Sequence, residues 1–108
     1  MNAKLFYKEC FNNIFSQKIF FRYYGFEKKY SDLKKFYSNF LKVIKYNERL
    51  RVVTFSDKNF EMYASIASIF LSNNVWIPLS NNLPINRLIN ILEKSKPNIL
   101  ILSKKSKL

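Results

Sequence analysis

At 108 residues the chain can fold as one domain with a modest buried core, and it is too short for a two-domain enzyme. A hydrophobic content of 48%, with 18% aromatic residues, argues for a packed chain rather than a disordered one despite a formal charge of +12. Histidine is absent and Cys10 is the single cysteine, which excludes an internal disulfide, a cysteine-built metal site and histidine acid/base chemistry.

In chain order, Ala3, Phe6, Tyr7, Cys10, Phe11 and Ile14 recur at three- and four-residue spacing and predict a first amphipathic helix. Lys18 to Arg22 and Phe26 to Tyr30 then read as an aromatic-rich hairpin around Gly25, the only glycine, which suits a tight turn with positive φ. Ser31 reads as the cap of a second helix with Asp32 in its first turn, and Leu33, Phe36, Tyr37, Phe40, Leu41 and Ile44 form its apolar stripe.

Leu50 to Phe55 is a short β-branched run that predicts a buried strand. Ser56 or Asp57 is expected to cap the next helix, with the stripe Phe60, Tyr63, Ile66, Ala67 and Phe70 and an end near Asn73-Asn74. Val75 to Leu79 predicts another strand, Pro84 the first residue of a helix with the face Ile85, Leu88, Ile89 and Leu92, and Lys96-Pro97 its stop. Asn98 to Ser103 predicts the last strand. The expected fold is therefore α/β: an N-terminal helix and β-hairpin over 1–29, then a β-α-β-α-β parallel sheet with right-handed crossovers, covered on both faces.

The positive charge invites a nucleic-acid partner, since clustered cations release counterions from phosphates. The lysines scatter along the chain, however, and the surplus of Lys, Asn, Ile, Phe and Tyr over Gly, Ala and Pro is the composition an AT-rich coding sequence produces. Tyr23-Tyr24 and Trp76 have the chemistry to stack on bases, but a hairpin edge and a buried strand position explain them more simply. The seven acidic residues, Glu9, Glu27, Asp32, Glu48, Asp57, Glu61 and Glu93, fall at helix starts or on expected solvent faces. No apolar run reaches the ~18 residues of a membrane helix, and the first residues do not read as a secretory signal, so a cytoplasmic setting is expected. Ser106-Lys107-Leu108 spells a peroxisomal address, which a lysine-rich tail also produces by chance.

From Tyr30 onward the order of short motifs carries a resemblance. Lys29-Tyr30-Ser31-Asp32-Leu33 resembles the "TYxEL" opening of the adenylate-forming (AMP-binding) ligases, and Arg51-Val52-Val53, Asn59-Phe60-Glu61 and Ala64 to Phe70 resemble the strand and helix that follow in that family. Val75-Trp76-Ile77-Pro78-Leu79 is similar to "yvPl", Pro84 to Leu92 to "PaeRl.yil", and Lys96 to Ile101 to "a.vlit". Asn73 stands where the family has Gly, and Ser80 and Asn81 where it has Asp and Pro. The resemblance covers residues 30–104 and implies part of the large N-terminal domain of an enzyme that activates a carboxylate with ATP and Mg²⁺. The acyl or aminoacyl group would then pass to the thiol of coenzyme A or of a carrier protein. In that family the ATP loop and the catalytic lysine lie downstream of the matched segment. No catalytic, cofactor-binding or metal residue can therefore be assigned here, and the chain alone is expected to be inactive.

Overall fold

A computed structural model describes residues 3–102 except 47, 57 and 81, with no side-chain description at Ala3 and Ser56. The elements are α1 (Ala3–Asn13), β1 (Ile19–Tyr23), β2 (Phe26–Lys29), α2 (Tyr30–Phe40), β3 (Arg51–Ser56), α3 (Phe60–Leu71), β4 (Val75–Ser80), α4 (Ile85–Ser95) and β5 (Ile99–Ile101). β1 and β2 pair antiparallel, and β3, β4 and β5 form a parallel sheet in the order β4-β3-β5. The α/β class, the hairpin and the β-α-β-α-β order are as expected from the sequence.

Alternation along the strands splits the sheet into two apolar faces. Val52, Trp76, Ile99 and Ile101 lie in register on one face and pack with Phe40, Ile44 and Ile69 of the α2 and α3 side. Val53, Phe55, Ile77 and Leu79 lie on the other and pack with Leu88, Ile91 and Leu92 of α4. The stretch Val52 to Phe55 is buried continuously rather than in alternation because β3 is central and covered on both sides. Pro78 sits in β4, an edge strand, where a missing N–H costs least.

α3 is the keystone. One side of it meets the sheet, and Phe60, Ala64, Ala67 and Leu71 meet α1, the hairpin and α2 through Cys10, Leu33, Phe6 and Phe20. A helix covered on nearly every side must be apolar all round, and nine of its residues are buried. The small side chains Ala64 and Ala67, both fully buried, leave room for the helices stacked on them.

Three helix starts differ from the sequence reading. α2 begins at Tyr30 with Lys29 as cap, two residues before the expected position, because the Tyr30 N–H donates to Lys18 O at 2.9 Å and its ring meets Phe20 edge-on at 5.3 Å. Asp32 is then the third helical residue, and its Oδ2 accepts the Lys29 N–H at 2.9 Å, one half of a capping box. The cap of α3 is Asn59, not Ser56 or Asp57: Asn59 Oδ1 accepts the Met62 N–H at 2.9 Å, whereas Asp57 lies outside the described residues. Pro84 is the cap of α4 rather than its first residue. The helix ends are closed by left-handed residues, Asn73 at φ 59° after α3 and Lys96 at φ 47° after α4.

The hairpin turn is Tyr24-Gly25, with φ of 47° and 79°, a pair of positive values that matches a two-residue turn of the I′ kind. At its open end the pairing slips between Ile19 and Phe21, which leaves Phe20 as an extra residue. That bulge turns both Phe20 and Phe21 toward α3, where their rings meet Phe60 at 6.2 and 6.3 Å.

Candidate functional site

Parallel sheets hold ligands beyond the carboxyl ends of their strands, where neighbouring crossovers leave to opposite faces. Here α3 follows β3 onto one face and α4 follows β4 onto the other. At the carboxyl end of β5 and the first turns of α3, Asn59, Glu61, Met62, Ser65, Ile101 and Leu102 line a cavity of about 70 Å³. That is room for a water or two, and two of its polar side chains are already engaged: Asn59 caps α3 and Ser65 Oγ donates to Glu61 O at 2.7 Å.

A larger hollow of about 390 Å³ opens between α1, β1 and the start of α3. Phe6, Phe20, Phe21, Tyr23 and Tyr63 form its walls, with Phe21 5.6 Å from Tyr63, and Arg22 and Lys58 stand at its rim. Arg22 Nε is 3.2 Å from Glu27 Oε1, across the hairpin and in solvent. No carboxylate lines this hollow among the described residues.

The motif residues of the sequence reading take structural positions. Arg51 reaches across to the end of α4 and donates from Nε to Lys96 O at 2.9 Å and from Nη2 to the same oxygen at 2.7 Å. Asn59 is a cap and Asn73 a helix stop. Tyr23 and Tyr24 are exposed on the hairpin, and Trp76 is half-buried in β4, its indole N–H donating to Thr54 Oγ1 at 3.0 Å. Among the described residues no three of His, Cys, Asp and Glu come together as a metal site, and Asp57 lies outside those residues. Ser106-Lys107-Leu108 lies outside the described residues.

Cys10 is 1% exposed beneath α3 and α2. Burial, with Glu9 adding to it, pushes its thiol up to about 12. Burial likewise raises the hydroxyls of Tyr30 and Tyr37, and Tyr37 donates to Leu71 O at 3.2 Å. A thiol so held is a packing group, inert below the alkaline range. Because its folded pKa lies above its unfolded value, its contribution to stability is complete below about pH 8.5 and is lost as pH climbs toward 12. The unfolding free energy measured in urea is expected to fall as the pH rises from 9 to 11, by at most about 1.4 kcal/mol per pH unit from this group. Cys10→Ala should flatten that slope relative to the parent; an unchanged slope would show that the thiol is not the group responsible.

No protein-family model matches the chain, and no curated protein matches it. Among solved structures, a crystal structure of IdnL1 superposes with a TM-score of 0.73 at 16% identity. The match covers 98% of this chain and 22% of that one. The likeness is one of fold. The whole of this chain therefore corresponds in fold to a fraction of a longer protein.

Proposed function

We propose that the chain is a scaffold segment from the large domain of an adenylate-forming ligase, one that builds the start of the sheet but carries none of the chemistry. The observation that supports this most is where the motif residues lie. Arg51 ties β3 to the end of α4, Asn59 caps α3, and Asn73 takes the left-handed turn where the resembled family has Gly. Each has a structural task and none faces a common site.

The parent reaction is ATP-dependent activation of a carboxylic or amino acid, followed by transfer to coenzyme A or a carrier protein, in the cytoplasm. ATP and Mg²⁺ do not fit the residues described here. The single glycine sits in the hairpin turn, where no loop can cradle a phosphate, and among the described residues no three of His, Cys, Asp and Glu come together. No step of the reaction is assigned to this chain.

The test is ATP–pyrophosphate exchange with the 108-residue chain alone and with the chain joined to a ligase remainder that carries a Ser/Thr/Gly-rich loop ending in Lys. Exchange by the joined protein and none by the chain alone is the expected result.

The surface suits a segment with neighbours. Leu100 is 42% exposed because α4 leaves the β5 side of its face bare, and Ile85, Ile89 and Leu102 are open as well. Both β4 and β5 are sheet edges. Bare edges beside apolar side chains favour pairing between copies. Sedimentation of the isolated chain is expected to show association that grows with concentration, and a single monomeric species at high concentration would count against the scaffold reading.

A further inference from the structure

We propose that the hollow between α1, β1 and the start of α3 binds a small aromatic monoanion, an aryl carboxylate, independently of the ligase reading. Its volume of about 390 Å³ lies in the range of small-molecule pockets. Three features of the site point to this ligand class.

The walls are rings from three separate elements, Phe6 of α1, Phe20 and Phe21 of β1 and Tyr63 of α3, tilted by 52° between Phe6 and Phe20 and by 39° between Phe21 and Tyr63, an aromatic lining that suits a flat guest. The bulge at Phe20 creates this arrangement, since regular pairing would send one of the two adjacent phenylalanines to the outer face. The charge is matched to a single negative group. Among the described residues that line it, the charged groups are Arg22 and Lys58, and Glu27 pairs with Arg22, so of these two the Lys58 ammonium is the charge offered to the ligand. A carboxylate satisfies that charge, whereas a phosphate dianion exceeds it and a neutral guest leaves it unused.

The probe is 1-naphthoate, titrated into the full chain and followed by amide chemical shifts. Shifts confined to Phe6, the Phe20–Tyr23 strand, Lys58 and Tyr63 are expected, with 1-naphthalenemethanol, the neutral analogue, binding about tenfold more weakly. Lys58→Gln changes an exposed side chain, leaves the walls intact and is expected to weaken naphthoate about fivefold or more without changing the neutral analogue. A thermal melt equal to the parent's confirms that the variant is folded. Equal binding of the neutral analogue, tighter binding of 1-naphthyl phosphate, shifts spread over the Leu100 face, or indifference to Lys58→Gln would each overturn the proposal.

Discussion

Phe55→Ala is expected to lower the unfolding free energy by about 3–5 kcal/mol, the largest single effect in the chain. Among the described residues Phe55 is the largest fully buried side chain; it sits in the central strand β3 and packs in one cluster with Val53, Leu79 and Leu88. Truncation removes its transfer free energy and leaves a cavity that β3, held by β4 on one side and β5 on the other, cannot close. A domain of this size has about 5–15 kcal/mol in all, so the variant stands near the edge of folding, with a melting temperature lower by roughly 15–25 °C. Leu100→Ala provides the contrast. Leu100 lies on the same sheet face but is 42% exposed, so its truncation should cost about 1 kcal/mol or less. Thermal melts of the two variants side by side decide the matter, and equal losses would mean that α4 covers the sheet differently.

Asn74→Ala is expected to cost about 2–4 kcal/mol although it removes little apolar area. Asn74 is 7% exposed, and its amide ties the end of α3 to the segment that leads into β3. Oδ1 accepts the Leu50 N–H at 2.9 Å, while Nδ2 donates to Lys45 O at 3.0 Å and to Ser72 Oγ at 2.9 Å. Losing the amide strips the partners from a backbone N–H and a backbone carbonyl in the segment that leads into β3. The effect should appear both in the urea midpoint and as faster hydrogen exchange at Leu50. Exchange at Leu50 that matches the parent would show that water or a neighbour takes over the bond.

These two residues also mark how far the sequence can be read. Phe55 was visible as part of a continuous apolar run, because a strand buried on both faces leaves that imprint and helices leave one of period 3.6. The hairpin, the alternation of strands and helices and the end of α3 near Asn73-Asn74 were legible for the same local reasons. Asn74 was not, since nothing in an Asn-Asn pair says which of the two clamps a loop 29 residues away. Arg51 is similar: its guanidinium meets carbonyls 44 and 45 residues downstream, a relation that exists only once the sheet is closed.

Cap positions were misjudged where several polar residues compete. Ser31 was a good local candidate, yet Tyr30 is drawn into α2 by its bond to Lys18 O and its contact with Phe20. Ser56 likewise lost to Asn59, whose carbonyl oxygen stands in line with the Met62 N–H. The aromatic hollow left no trace in the sequence, for its walls come from α1, β1 and α3 and depend on a bulge that a run of two phenylalanines does not announce.

The proposed role, a sheet-building segment without chemistry of its own, has a direct test. It is ATP–pyrophosphate exchange by the 108-residue chain, with Mg²⁺ and a panel of amino and carboxylic acids. Exchange equal to the protein-free background is expected for every acid; exchange that rises with protein and saturates with ATP would overturn the proposal.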